Sequence, residues 1–299
     1  MLSVTFAPVP RVSPGDLVAV VAPAGPFDRE SFEKGLAVLS RRYRERHDAG
    51  LFAAERYLAG SDGRRLAELQ GAYDDQGVRA VFAARGGYGA MRLLESFRVR
   101  RPVPLIGFSD LTALHAVAQK AGHRSLHAPV LTQLGTQSAA VVERLFATLE
   151  SPAPAPAFQG LTMLVPGAVE GPLLGGNLSV FTRLLGTPYL PPLDGAVLFL
   201  EDVGERPYRL DRMWTHLRLA GVFQRVRGVV LGDFTSCEEK DGSHTSAEVL
   251  ASLAKETGLP CASGLPVGHG AVNVPLVLGA RVRLDATRGE LTPLEGLVA

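Results

Sequence analysis

Residues 103–115 read Val-Pro-Leu-Ile-Gly-Phe-Ser-Asp-Leu-Thr-Ala-Leu-His. The apolar run Val103–Phe108 has the composition of a buried strand, and Leu111–Ala121 beyond it is helix-like. Strand, sharp turn, helix is the local signature of a βαβ unit. Ser109 stands at the corner. A turn this abrupt lifts a hydroxyl clear of the sheet and leaves it at a helix N-terminus. There the N–H of Asp110 faces any oxyanion that develops, and the helix dipole favours that charge. Gly107 leaves room for the turn. The pattern is G-x-S-x-L, without the second glycine of the G-x-S-x-G elbow. Taken alone, the segment is better explained as a plain helix cap by Ser109 or Asp110.

The same alternation extends outward. Leu17–Ala22 is a valine-rich apolar run ending in Pro23-Ala24-Gly25-Pro26. Asp28 then precedes a helical pattern through Phe32, Leu36 and Leu39, with Ser31 an alternative cap. Asp62–Tyr73 reads as a helix, Val78–Ala83 as a strand and Ala90–Phe97 as a helix. Strands alternating with helices over the first ~130 residues argue for a parallel sheet. Ser151–Phe158 (SPAPAPAF) is extended and semi-rigid in composition, a natural linker. Beyond it, Leu161–Val169, Ala196–Leu200, Val226–Leu231 and Val282–Leu284 read as strands. Arg209–Ala220 and Ser246–Thr257 read as helices. The expected division is residues 1–150 as an N-terminal α/β domain, 151–170 as linker, and 171–299 as a mixed β/α domain.

Composition bounds the function. The chain has 299 residues, 31 Lys+Arg against 30 Asp+Glu, and a net charge of +1. That balance lacks the basic footprint of a nucleic-acid binder. Two cysteines, Cys237 and Cys261, build neither a disulfide framework nor a cysteine-rich metal site. No pair of histidines has the spacing of a zinc motif such as H-E-x-x-H, so metal is disfavoured. The N-terminus has no basic region followed by a long apolar one, and no run reaches the ~20 apolar residues of a membrane span. A cytoplasmic protein without a membrane partner is expected.

Three further segments end elements with chemically useful groups. Arg85-Gly86-Gly87-Tyr88-Gly89 follows a strand, and such glycines let backbone N–H groups approach an anion. It is neither the G-x-G-x-x-G fingerprint nor a Walker loop, and a plain βα turn explains it as well. Gly175-Gly176-Asn177-Leu178-Ser179 reads as a turn with Asn177 or Ser179 capping a helix, or as a loop facing a ligand. Glu201 and Asp202 end the strand Val197–Leu200, where an α/β site gathers its groups. Among seven histidines, His269 alone lies between two glycines, in Gly264-Leu-Pro-Val-Gly268-His269-Gly270. Histidine is the side chain suited to proton transfer near neutrality. His115 and His123 read as packing or surface residues, and His127 as structural near the site. Ser109, Glu201 and His269 thus stand in chain order as a serine, an acid and a histidine, though a triad is defined by geometry rather than order.

Together these segments resemble the LD-carboxypeptidases, the serine peptidase family that also contains the microcin C self-immunity proteins. The resemblance runs from about Gly15 to about Leu284. It rests on Arg85–Gly89 (RGGYG), Gly107–Thr112 (GFSDLT), His127–Pro129 (HAP), Gly175–Ser179 (GGNLS), Leu200–Met213 (LEDVGERPYRLDRM) and Gly264–Gly270 (GLPVGHG), in that order. It implies an N-terminal Rossmann-like parallel-sheet domain, a second mixed β/α domain, and an active site in the cleft between them. Ser109 would be the nucleophile, His269 the general base and Glu201 its orienting acid. The N–H groups of Asp110 and Gly87 would form the oxyanion hole, with Gly86, Tyr88 and Asn177 as substrate contacts. The resemblance implies no cofactor and no metal. It implies a homodimer that releases a terminal D-alanine from muropeptides in cytoplasmic cell-wall recycling. Phe108 stands where the family often has tyrosine, and Ala128 where it often has glycine. Two alternatives stand beside this expectation: a peptidase for peptidyl- or aminoacyl-nucleotides of the microcin type, and a non-catalytic binder of small anions. Trp214, the only tryptophan, reads as core rather than as a base-stacking platform.

Overall fold

A computed structural model describes residues 5–239 and 241–299. The chain runs β1 (Leu17–Val21), α1 (Arg29–Leu39), β2 (Arg44–Arg46), α2 (Asp62–Asp74), β3 (Val78–Ala83), β4 (Leu105–Gly107), α3 (Thr112–Lys120), β5 (Ser125–His127), α4 (Leu131–Leu134) and α5 (Ala139–Glu150). It continues β6 (Thr162–Val165), β7 (Ala168–Asn177), α6 (Leu178–Arg183), β8 (Val197–Val203), α7 (Pro207–Leu219), β9 (Gly228–Thr235), α8 (Ser246–Thr257), β10 (Cys261–Ser263), β11 (Leu276–Leu278), β12 (Arg281–Asp285) and β13 (Glu290–Pro293).

The first sheet has the order β11-β5-β4-β3-β1-β2. Its pairs from β2 through β5 are parallel, and only β11 joins antiparallel. Val18, Ala19, Val20 and Val21 are all buried, because helices cover both faces of this sheet. α1 begins where Asp28 accepts from the Ser31 N–H at 2.8 Å. Its Phe32 and Leu39 enter the core beside Val18, Val20 and Phe82. Each large apolar side chain buried in this way contributes about 1.5–3 kcal/mol.

The second sheet has the order β13-β12-β7-β8-β9-β10-β6. β7, β8, β9 and β10 run parallel, and antiparallel strands flank them. The architecture is the expected α/β fold with two sheets, the first rich in parallel pairs. Trp214 is buried on α7 against Phe223, their rings 4.9 Å apart.

Two expected elements differ. Ala90–Phe97 forms only a 3-10 turn over Ala90–Leu93. Gly89 has no side chain to cap it, and the first free N–H, that of Ala90, is taken by the Asp110 carboxylate at 2.7 Å. So short a segment does not propagate a helix. Leu161–Val169 splits into β6 and β7 at Pro166-Gly167, where Gly167 has φ +132°. The two halves go to different places in the sheet, β6 to its edge and β7 to its centre. Residues 151–170 therefore include β6 and the start of β7.

One connection matters for the site. β10 belongs to the second sheet and β11 to the first. The segment between them, residues 264–275, strings the two sheets together and carries His269.

Candidate active site

β4 ends at Gly107, and the chain turns through a 3-10 segment, Ser109–Leu111, into α3. Ser109 has φ +65°, one of three non-glycine residues with positive φ among those described. This left-handed conformation costs of order 1–3 kcal/mol and persists where surroundings enforce it. The enforcing contacts are specific. His115 Nε2 hydrogen-bonds the Gly107 carbonyl at 2.9 Å from the next helix turns. Asp110 reaches away to the Ala90 N–H, so neither Ser109 nor Asp110 caps α3 with its side chain.

The glycine loop lies against this turn. A Cβ placed on Gly86 would stand 3.0 Å from Ser109 Cβ and 3.2 Å from its Oγ. The loop is held from behind by the buried Arg65, which donates to the Gly89 carbonyl at 2.9 Å and also to the Pro23 carbonyl. Gly25 N–H donates to the Gly86 carbonyl at 3.0 Å. Gly87 follows with φ +105°. Asp110 is the second residue of the 3-10 turn, where a backbone N–H has no partner within the turn. Tyr88 is 51% exposed and meets Tyr57, 54% exposed, edge-on at 5.3 Å.

The acid comes from the other sheet, and the histidine from the segment that links the two. Glu201 lies in the buried run of β8, with only Asp202 buried after it, and is 0% exposed. Its Oε2 lies 2.6 Å from His269 Nδ1. A carboxylate acceptor at Nδ1 leaves the basic lone pair on Nε2. Glu201 Oε1 is buried with no hydrogen-bond partner among the described residues. The imidazole packs on Phe108, the residue before Ser109, with ring centroids 4.7 Å apart. Phe108 in turn meets His127 at 5.5 Å, and His127 meets Phe199 of β8 at 5.1 Å. This aromatic chain couples the turn at Ser109 to the strand that carries Glu201. No hydrogen bond joins Ser109 Oγ to His269; such contacts are commonly long in unliganded sites.

Of the three residues read from the sequence as serine, acid and histidine, the acid and the histidine are in direct contact, and the ring lies on Phe108, next to Ser109 in the chain. Asn177 is placed beside Glu201 across the β7–β8 register. Its amide is engaged at both ends, donating to Asp202 at 3.0 Å and accepting from the Val180 N–H at 3.1 Å. Its N–H donates to Thr112 of α3 at 2.9 Å, a direct tie between the two sheets' helices. Burial raises the Asp202 carboxyl to about 6.

Sequence reasoning passed over Asp233. It lies near the end of β9 and its Oδ2 accepts from the Gly270 N–H at 3.2 Å. The available signal was its position at a strand's carboxyl end, the rule that singled out Glu201. Among the described residues, no three His, Cys, Asp or Glu side chains converge as metal ligands. A groove of about 670 Å³ lies apart from this chemistry, between α5, residues 153–156 and Val272 and Val274.

Burial lowers His115 to about 4, with its bond to Gly107 opposing the shift. The folded ring is therefore neutral, whereas an unfolded histidine titrates near ~6.5. Between those values the unfolded chain binds a proton that the folded chain refuses. This contribution to stability is intact above about pH 6.5 and falls by up to ~1.4 kcal/mol per pH unit toward pH 4. The buried His127, lowered for the same reason, acts with the same sign. Thermal melts between about pH 7.5 and 5 should show a falling midpoint, and His115→Gln should flatten that slope. An unchanged slope in the variant would mean the ring is not the group responsible.

Comparison with known proteins follows the same division of the chain. Residues 18–128 match the LD-carboxypeptidase N-terminal domain, and residues 170–284 match the LD-carboxypeptidase C-terminal domain. A murein tetrapeptide carboxypeptidase of Pseudomonas aeruginosa is 33% identical over 291 residues, covering 91% of this chain and 94% of that protein. The crystal structure of a muramoyltetrapeptide carboxypeptidase from Oxalobacter formigenes superposes with a TM-score of 0.81 at 28% identity, covering 92% of this chain and 97% of that one. The microcin C7 self immunity protein MccF, in complex with aspartyl sulfamoyl adenosine, superposes with a TM-score of 0.89, covering 98% of this chain and 100% of that one. At 20% identity the last comparison speaks to the fold alone.

Proposed function

The chain belongs to the LD-carboxypeptidase family, and from that premise we propose that it is a serine-type carboxypeptidase of cytoplasmic murein recycling. The substrate in this reading is a tetrapeptide, and the products are a tripeptide and D-alanine. The observation that carries it is the Glu201–His269 contact of 2.6 Å, formed against the ring that precedes Ser109.

In this mechanism Ser109 Oγ attacks the carbonyl before the terminal D-alanine as His269 Nε2 takes its proton. The oxyanion that develops meets the N–H groups of Asp110 and Gly87. Glu201 keeps the Nδ1 proton in place and stabilises the imidazolium. The imidazolium then protonates the departing D-alanine amine, leaving an acyl ester on Ser109. Water, deprotonated by the same imidazole, hydrolyses that ester.

Incubation with L-Ala-γ-D-Glu-diamino acid-D-Ala should release D-alanine, and kcat/KM should fall with acid across the histidine window of about pH 8 to 5. A flat profile would remove His269 as the base. A homodimer belongs to the same proposal, and sedimentation velocity tests it.

A second reading has one observation in its favour. Tyr88, on the loop beside Ser109, and Tyr57, on a separate segment, form an exposed aromatic pair, a surface on which a nucleotide base would stack. In that reading the substrate is a peptidyl- or aminoacyl-nucleotide. Side-by-side turnover of both substrates separates the two. Acylation of Ser109 by a serine-directed probe would exclude a purely non-catalytic binder.

A further inference from the structure

Asp233 is a carboxylate beside His269 that the mechanism above leaves unused. Its main chain lies near the carboxyl end of β9, next to β8, which carries Glu201. Its N–H donates to the Val267 carbonyl at 3.0 Å, and its Oδ2 accepts from the Gly270 N–H at 3.2 Å. These two bonds bracket His269 in sequence. The fit around them is tight. A Cβ on Gly268 would stand 2.8 Å from Glu201 Oε2 and 3.3 Å from Asp233 Cβ. A Cβ on Gly270 would stand 2.5 Å from Asp233 Oδ2. The two carboxylates therefore fill the space on both sides of the His269 backbone, which accounts for the glycine on either side of it.

We propose that Asp233 is a positioning residue for the general base: it clamps the His269 backbone through Gly270 and adds a second negative charge that favours the imidazolium. The inference rests on the reading of Ser109, Glu201 and His269 as nucleophile, acid and base. Glu201 from β8 contacts the imidazole, Asp233 from β9 contacts the next backbone N–H, and His127 from β5 meets the Phe108 ring on which the imidazole packs, with His115 of α3 acting on His127 in turn. Burial keeps both of those histidines neutral. The charges acting on the ring are thus the two carboxylates. Burial raises the Asp233 carboxyl, the Gly270 hydrogen bond opposes that, and Glu201 and His269 act on it from within the same cleft. A nearby anion stabilises the protonated ring that exists once the Ser109 proton has been taken.

Asp233→Asn separates the two roles, because its amide oxygen still accepts from Gly270 while the charge is gone. The acid limb of kcat/KM should move to lower pH by about half a unit, the size of one charge acting over a few ångströms through a water-like dielectric. Asp233→Ala also removes the clamp and should lower kcat about tenfold further, with KM little changed. A second readout needs no substrate. In a Ser109→Ala background, the His269 ring resonances are titrated by NMR with Asp or Asn at position 233. A lower midpoint with Asn supports the proposal, and equal midpoints overturn it. If the midpoints differ while no murein tetrapeptide is turned over, the role of Asp233 stands and the substrate assignment falls. If the peptide is turned over with identical pH limbs in Asp233→Asn, the substrate assignment stands and the role of Asp233 falls.

Discussion

Ser109→Ala should lower kcat/KM on a murein tetrapeptide by at least about 10⁴-fold, with the fold intact. The substitution removes one oxygen. That hydroxyl is engaged by no other described residue, so its loss strands no buried partner. Alanine keeps the β-carbon that packs against Gly86, and the left-handed backbone at this position is enforced by His115, Phe108 and the Asp110–Ala90 bond rather than by the hydroxyl. The thermal midpoint should therefore stay within a degree or two of wild type, as for substitutions away from core and caps. D-alanine release gives the rate, and a melt run on the same sample reports folding. Retained turnover in a folded variant would move the nucleophile elsewhere.

Glu201→Gln should cost about 10³–10⁴-fold in kcat and also destabilise the protein. The reason lies in the two oxygens of one carboxylate. Oε2 holds His269 Nδ1 at 2.6 Å, while Oε1 is buried with no partner among the described residues. A glutamine there has two orientations and neither suits. With its NH₂ toward Nδ1, the ring must carry its proton on Nε2 and has no lone pair for Ser109. With its oxygen toward Nδ1, the tautomer is right but the NH₂ is buried unsatisfied, at about 1–3 kcal/mol. The imidazolium of the transition state also loses its counter-charge in either case. Denaturant unfolding and single-turnover kinetics together check this. A variant as fast and as stable as wild type would show that the contact orients nothing.

Much of this was legible in the residues, for reasons that differ from place to place. Val78–Ala83 and Ser246–Thr257 matched their expected bounds, because a valine-rich run and a capping box with Thr245 and Glu248 are strong local signals. Ser109, Glu201 and His269 were visible as reactive groups at the ends of elements. Their approach to one another was not, since it depends on tertiary register between two sheets. β11 was missed: three apolar residues have no period to read, and their partner, β5, precedes them by about 150 positions. Asp233 was missed although it stands near the carboxyl end of an apolar strand, because its link to His269 appears only when Gly270 is seen against it.

The strap between β10 and β11 also bears on how the enzyme is made. The ribosome delivers the chain from its N-terminus, and domains generally fold as units as they emerge. Here the first sheet lacks its β11 edge until residues 276–278 have been synthesised, and Val9 waits for Val298. The turn at Ser109 is thus synthesised well before His269, the base of the proposed mechanism. A stalled or truncated nascent chain carries Ser109 without His269, and in the proposed mechanism it lacks its base. On that reading the first turnover waits for the segment that joins the two sheets.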